Sequence, residues 1–138
     1  MELVRKHVNE CVLKTSQMLG SESYLESCYQ RVLAYYLRSS GKYLNVNTEY
    51  QINYRLPDGY VFGYGRVDIL IETFQKNIFI IEVKQKLRKL DEARNQLKRY
   101  VRHIKIPNGK IVDGQIVNFF GGGGVAILNY DSIKCNMS

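Results

Sequence analysis

The sequence from Gly65 to Lys86, GRVDILIETFQKNIFIIEVKQK, decides how we interpret the whole chain. It contains two apolar runs joined by a short polar segment, and this pattern predicts two strands of a buried sheet. Each predicted strand carries a carboxylate where a core residue is expected, Asp68 in the first and Glu82 in the second. Burial of a carboxylate is costly unless the group is paired or binds a cation, so these two residues need a physical explanation.

The register of the predicted hairpin brings the two carboxylates together. If residues 73–77 form its loop, Asp68 lies directly opposite Glu82, with Cβ atoms about 5 Å apart. Lys84 leaves its strand on the same face as Glu82, because side chains at i and i+2 point the same way. Two like charges at this distance repel each other, and a divalent cation between them would remove the conflict. An ordinary buried salt bridge, shared by both acids with Lys84, is the alternative.

Length and charge restrict the class of protein. The chain has 138 residues and a net charge of +7, with a mass of 16.0 kDa and a pI of about 9.3. This length predicts a single domain over residues 1–138, and the charge favours a polyanionic partner such as nucleic acid. No apolar run approaches the ~20 residues that span a bilayer, and the N-terminus lacks a signal-peptide core. We therefore expect an intracellular protein with no membrane partner.

Three helices are predicted from apolar residues at helical spacing. The first covers residues 2–18, and the second begins at Ser23, where Ser23 and Glu26 would form a capping box. The third is marked by apolar residues between Leu90 and Ile104. Its other face is basic and carries Arg88, Lys89, Arg94, Lys98, Arg99 and Arg102. We interpret this face as a phosphate-binding surface, and a solvated helix surface is the alternative.

Period-two patterns and turn residues predict the strands. The predicted strands are residues 46–56, 61–71, 78–84 and a last buried strand at 125–130. Residues 110–120 predict a short strand pair or an ordered loop. The four glycines at 121–124 lack the features of a phosphate loop and are interpreted as a flexible connector. The cysteines Cys11, Cys28 and Cys135 have no metal-binding spacing and are interpreted as reduced thiols.

The arrangement of acids on the two strands resembles the PD-(D/E)XK nuclease superfamily, whose signature is an acid followed by (D/E)-x-K on the next strand. Asp68 and residues 82–84 match that signature, and Val67 stands where the superfamily name has proline. The resemblance covers about residues 19–130, within which residues 105–124 look like an insertion. It implies an α/β fold, a single restriction-endonuclease-like domain with a mixed central β-sheet flanked by helices.

Two helical motifs extend the resemblance. Glu26 and Tyr29 match the ExxY part of the GxxExxY group, and Ser23 stands where that group has glycine. Gln96 and Tyr100 match a Q-x-x-x-Y helix motif of several exonuclease-like members. The coincidence of these motifs with two acid-bearing apolar strands makes chance an unconvincing explanation.

The resemblance implies a nuclease that hydrolyses phosphodiester bonds in nucleic acid with Mg²⁺ or Mn²⁺, and we expect DNA as the substrate. Asp68 and Glu82 would bind the metal directly. The Val83 carbonyl would assist them, as would Glu26, directly or through water. Lys84 would orient the attacking water, and Gln96 would position a ligand or phosphate. The expected nucleic-acid-binding residues are Lys86, Arg88, Lys89, Arg94, Lys98, Arg99, Tyr100 and Arg102.

Several of these assignments have structural alternatives. The helix cap explains Glu26 as well as metal binding does, and Tyr29 and Tyr100 could be core aromatic residues. Gln96 could be a solvated helix residue. For the whole protein, the alternatives are a non-catalytic nucleic-acid-binding module of the same fold and an interaction domain whose basic face binds an acidic protein. A homodimer is left open.

Overall fold

The computed structural model describes residues 1–20, 22, 24–85, 90–120 and 123–130. These residues form three helices and five strands: α1 (Glu2–Leu19), α2 (Glu26–Ser39), β1 (Asn45–Arg55), β2 (Val61–Glu72), β3 (Ile78–Lys84), α3 (Leu90–His103), β4 (Val112–Phe119) and β5 (Val125–Asn129). None of the helices in these ranges is long and apolar enough to cross a membrane. Cys11 and Cys28 are free thiols, and Cys135 lies outside the described residues.

The five strands form one sheet in the order β1-β2-β3-β4-β5. β1, β2 and β3 are antiparallel neighbours, β4 runs parallel to β3, and β5 is antiparallel to β4. α3 connects β3 to β4, because two parallel neighbours need a crossover connection. The mixed sheet with its helices confirms the predicted α/β class and is consistent with a restriction-endonuclease-like fold.

Helices pack on both faces of the sheet and create two cores. α1 and α2 cover one face, where Leu33 belongs to the same apolar cluster as Ile71 of β2. α3 covers the other face, where Leu97 belongs to the cluster that contains Ile80 of β3. Because the central strands are buried from both sides, the apolar residues of β3 form a continuous run.

The start of α2 differs from the prediction. The helix begins at Glu26, and Leu25 occupies the N-cap position without a side-chain hydrogen bond. The predicted capping box of Ser23 and Glu26 is therefore wrong, because Glu26 is the first helical residue and not the third. Ser23 itself lies outside the described residues. Glu26 still lies at the positive end of the helix dipole, where a carboxylate is stabilising.

The region before the glycine run contains a strand that the sequence did not specify. Residues 112–119 form β4, which pairs with β3 along the whole of β3 and is buried at seven of its eight positions. The predicted insertion, residues 105–124, thus contributes an internal strand of the sheet. β5 is an edge strand with half-buried and exposed residues, so the prediction of a buried last strand is wrong. Gly121 and Gly122 of the predicted connector lie outside the described residues.

The pleat of β2 changes at one position. Ile69 belongs to the core beneath α1 and α2, whereas Val67 belongs to the core beneath α3. Side chains at i and i+2 share a face in a regular strand, so β2 turns over at Asp68, the residue between them. Glu49, which the β1–β2 register places opposite Asp68, has a φ of 50°. This left-handed conformation is uncommon for a residue other than glycine.

Candidate active site

Asp68 and Glu82 meet where the pairing of β2 and β3 stops. The ladder reaches Ile69 and Ile81, and its register is the predicted one, with Asp68 opposite Glu82. At this position, side chains replace main-chain pairing. The N–H of Val83 donates to Asp68 Oδ2 at 2.7 Å, and the N–H of Asp68 donates to Glu82 Oε1 at 3.2 Å. The two carboxylates therefore take the place of the next ladder hydrogen bonds.

The change of pleat in β2 explains the direction of the Asp68 side chain. Val67 faces α3 and Ile69 faces the other two helices, so the side chain between them reaches across to β3. Glu49 on the neighbouring strand adopts its left-handed conformation opposite this residue. Unfavourable main-chain conformations of this kind persist only where the surrounding structure enforces them, and they are frequent at functional sites.

Burial controls the charge on the two carboxyls. Glu82 is 2% exposed, and Asp68 is half-buried. Burial raises the pKa of Asp68 to about 6, while the Val83 N–H and Lys84 act in the opposite direction. Burial and the neighbouring Asp68 charge raise the pKa of Glu82 well above its ordinary value. Without metal, the pair therefore holds a proton more tightly than ordinary carboxyls do, and a bound cation would replace that proton.

Lys84 lies near the two carboxyls without an ion pair to either. Its Nζ donates to Gln96 Oε1 at 3.4 Å. Among the salt bridges within the described residues, none joins Lys84 to Asp68 or Glu82. Its charge nevertheless lowers the pKa of both carboxyls, and its side chain leaves β3 on the same face as that of Glu82. This arrangement does not support the alternative of an ordinary shared salt bridge, in which the ammonium would contact the acids.

Two residues of α3 face the site but have different roles. Gln96 is half-buried and accepts the hydrogen bond from Lys84. Tyr100 is 4% exposed, and its hydroxyl donates to the Arg66 carbonyl oxygen at 2.8 Å. Its ring packs so tightly on Gly65 that a Cβ there would collide with it. Tyr100 is thus a core residue that supports β2, and it is not placed to contact nucleic acid as predicted.

Glu26 approaches the two carboxyls from the N-terminus of α2. Its side chain is exposed, and its charge raises the pKa of Asp68. In the part of the chain that the structure describes, no group of three His, Cys, Asp or Glu residues is close enough to hold a metal ion. The structure therefore brings Asp68 and Glu82 together and leaves Glu26 outside their immediate contact.

Several contacts hold the start of α2 against the sheet near the site. The side-chain amide of Gln85, directly after β3, donates to the carbonyl oxygen of Tyr24. Tyr29 is 2% exposed, stacks on Phe119 with ring centroids 4.7 Å apart, and donates to the Glu22 carbonyl oxygen at 3.1 Å. Tyr29 is therefore a core aromatic residue, and its packing positions the helix that carries the Glu26 carboxylate.

Asn118 is a neighbour of the site that the sequence analysis did not identify. It is the β4 ladder partner of Lys84 and is 4% exposed. Ile116, two residues earlier, belongs to the core beneath α3, so Asn118 shares that face of the sheet. Among the described residues, neither its Nδ2 nor its Oδ1 has a hydrogen-bond partner. The signal in the sequence is a single polar residue inside the apolar run IVNFF, residues 116–120.

The predicted basic surface is described only in part. Lys86, Arg88 and Lys89 lie outside the described residues. Of the others on α3, Arg94 contacts Asp91 at 3.4 Å with 26% of its side chain exposed, and Lys98 is half-buried. Arg99 and Arg102 are exposed. These last two residues are the α3 cations that are most accessible to a phosphate.

The donor set fits a hard divalent cation. Carboxylate oxygens are the preferred ligands of Mg²⁺ and suit Mn²⁺, and Mg²⁺ is usually held by one or two carboxylates while water completes its coordination. Asp68 and Glu82 supply two carboxylates at a place where burial opposes the ionisation of both without a counter-charge. The site thus combines a pair of acids suited to a cation with a lysine held beside them.

Comparison with known proteins agrees with this arrangement. A sequence model for the PD-(D/E)XK nuclease superfamily matches residues 2–120, a range that contains all the site residues discussed above. It extends through β4 and so includes most of the predicted insertion at 105–124. The match is to the superfamily and does not distinguish the GxxExxY group, which stays a prediction. No curated protein matches the chain.

Proposed function

Because the chain belongs to the PD-(D/E)XK nuclease superfamily, we propose that it is a nuclease that hydrolyses phosphodiester bonds in nucleic acid with the help of Mg²⁺ or Mn²⁺. The observation that carries the proposal is the pair of carboxyls formed by half-buried Asp68 and buried Glu82, with the ammonium of Lys84 bound to Gln96. Members of this superfamily are generally nucleases, and we propose DNA as the substrate. We also propose that the protein acts inside the cell.

Asp68 and Glu82 are the proposed metal ligands. The Val83 carbonyl would assist them, and Glu26, which lies outside their immediate contact, would act through a water molecule. When bound, the cation would supply positive charge at the scissile phosphate and favour deprotonation of the attacking water. Protons compete with the cation for these two carboxyls, whose pKa values are raised, so we expect metal affinity to rise with pH.

Lys84 is the proposed catalytic lysine. An ammonium group has three donors, and the bond to Gln96 uses one of them. The other two are available to orient the attacking water and to bind a phosphate oxygen. The lysine also stabilises the negative charge that develops on the phosphate in the transition state. In this account Gln96 positions Lys84. Gln96 was expected from the sequence to position a ligand or a phosphate.

A cleavage assay tests the proposal directly. Wild-type protein and Lys84→Ala are incubated with single-stranded, duplex and branched DNA and RNA in Mg²⁺, in Mn²⁺ and in excess chelator. We expect cleavage by the wild type with metal and none in chelator. Lys84→Ala should lose cleavage but keep most of the binding affinity, because the exposed basic surface supplies most of the phosphate contacts. Binding without cleavage by the wild type would favour the non-catalytic module instead.

A further inference from the structure

One face of the β1–β2 hairpin is exposed close to the site. Gly65 packs against the ring of Tyr100, and Val67 belongs to the core beneath α3, so both positions of β2 face that helix. Because side chains alternate along a strand, Tyr64 and Arg66 point to the opposite side. Both are exposed, and Tyr64 keeps 59% of its surface accessible.

The neighbouring strand adds amide groups to the same face. Gln51 pairs with Arg66, and Asn53 pairs with Tyr64. The side-chain amide of Gln51 donates to Asn53 Oδ1 at 3.0 Å, which holds the two amides side by side. We call these four residues the hairpin face. It presents an aromatic ring, a guanidinium and two amides, and none of the four carries a negative charge.

This combination suits unpaired nucleotides. Every base has a flat π face that stacks on a tyrosine ring, whereas a duplex keeps its base faces inside the stack. Arginine binds phosphate through several N–H groups. Tyr64 and Arg66 lie about 7 Å apart along the strand, so one side chain could hold a base while the other holds an adjoining phosphate. The net charge of +7 favours the same polyanionic partner.

The hairpin face ends next to Asp68 along the strand. Arg66 lies two residues before Asp68 on the same strand, and its carbonyl oxygen is fixed by the Tyr100 hydroxyl. We propose that the hairpin face binds a single-stranded segment of nucleic acid beside Asp68, at the place where β2 and β3 stop pairing. The substrate is therefore a single strand or a structure with an unpaired end or branch. This inference rests on the proposed nuclease function, but it concerns binding and is tested without cleavage.

The test measures binding in excess chelator, where the proposed cleavage cannot occur. Fluorescence anisotropy compares a labelled single strand with a duplex that contains the same strand. Tyr64→Ala should weaken single-strand binding by about 5- to 150-fold, the range expected for one lost base stack, and should leave duplex binding unchanged. Arg66→Gln should weaken single-strand binding and make its salt dependence shallower. Tyr35→Ala, which removes an equally exposed tyrosine from α2, should alter neither affinity.

Each alternative has its own outcome. Equal loss of single-strand and duplex affinity in Tyr64→Ala, or no loss of either, would overturn the proposal. A wild-type dimer that Tyr64→Ala dissociates, with unchanged single-strand affinity, would assign the hairpin face to self-association and overturn it as well. If the nuclease proposal alone is wrong, the wild type will not cleave in Mg²⁺ or Mn²⁺, yet the selective loss of single-strand binding in Tyr64→Ala will remain.

Discussion

Asp68 and Glu82 differ in how much water reaches them, and each changes the ionisation of the other. Glu82 is the more deeply buried, and its pKa is raised by burial and by the charge of Asp68. The pKa of Asp68 is raised to about 6, which lies within the pH range of common protein buffers. The charge state of the pair is therefore sensitive to pH even before metal is added.

This sensitivity predicts a pH-dependent difference in stability between the metal-free wild type and Asp68→Asn. The pKa of Asp68 is higher in the folded protein than its ordinary value of 3.8, so the folded state binds this proton more tightly. The resulting stabilisation is full at low pH and is lost as pH rises through about 6. We expect the wild type to lose stability relative to Asp68→Asn between about pH 4 and pH 6. Thermal melts in chelator measure this difference, and parallel profiles would contradict it.

Replacement of Asn118 is expected to affect stability and activity in opposite directions. Its buried amide has no partner among the described residues, and an unpaired buried polar group costs about 1–3 kcal/mol. We expect Asn118→Leu to raise the melting temperature, and to reduce cleavage if the amide contacts its ladder partner Lys84 during the reaction. Gln115→Leu on the same strand is the control. Its Nε2 donates to Asn9 and Asn129, so its loss should lower the melting temperature. A lower melting temperature for Asn118→Leu would show that the asparagine is satisfied.

At the scale of the elements, the strands that were predicted are those whose apolar residues form a nearly continuous run or alternate regularly with polar ones. β2 and β3 were predicted nearly to the residue, and their register followed from the turn between them. β4 was not predicted as a single strand, because polar residues interrupt its apolar pattern. The Asp113 carboxylate forms a salt bridge with the Arg5 guanidinium of α1, with an N···O distance of 2.8 Å. The Gln115 side chain forms hydrogen bonds with residues of α1 and β5. These partners are distant in the sequence, so local pattern cannot reveal them.

The failed capping box and the buried Tyr100 have the same kind of cause. A serine three residues before a glutamate is a common sequence, and tertiary contacts place the start of α2 at Glu26. Tyr100 was expected among the nucleic-acid-binding residues because it matches the Q-x-x-x-Y motif one helical turn after Gln96. Its burial depends on Gly65, which leaves space for the ring, and this complementarity appears only when the two elements pack.

The exposed arginines of α3 are expected to contribute to nucleic-acid binding in a way that does not depend on the nucleotide sequence. Arg99 and Arg102 are exposed on this helix and would contact phosphates, which carry no sequence information directly. We expect Arg99→Gln combined with Arg102→Gln to weaken binding of all sequences alike and to reduce the salt dependence of the affinity. Arg31→Gln combined with Lys110→Gln removes the same charge from two other exposed positions and is the matched control. Equal effects in the two double variants would mean that net charge, and not this helix, determines binding.

At the scale of the whole molecule, metal binding should increase the stability of the folded protein. A ligand that binds only the folded state stabilises it by mass action, about 2.7 kcal/mol at a hundredfold excess over its Kd. We expect Mg²⁺ and Mn²⁺ to raise the melting temperature of the wild type and to have little effect on Asp68→Asn. NaCl at matched ionic strength controls for general salt effects. An equal response of the two proteins would place the cation somewhere other than this pair of carboxyls.

The position of both carboxyls on one hairpin affects the order in which the site can assemble. Asp68 and Glu82 are 14 residues apart and are joined by a short turn, so little chain entropy is lost when they meet. β4 with Asn118 arrives only after the α3 crossover, a slower and more distant pairing. A hairpin that forms early would bind a cation before the rest of the site exists. We therefore expect Mg²⁺ to accelerate refolding of the wild type, whereas a cation site that forms last would change only the unfolding rate.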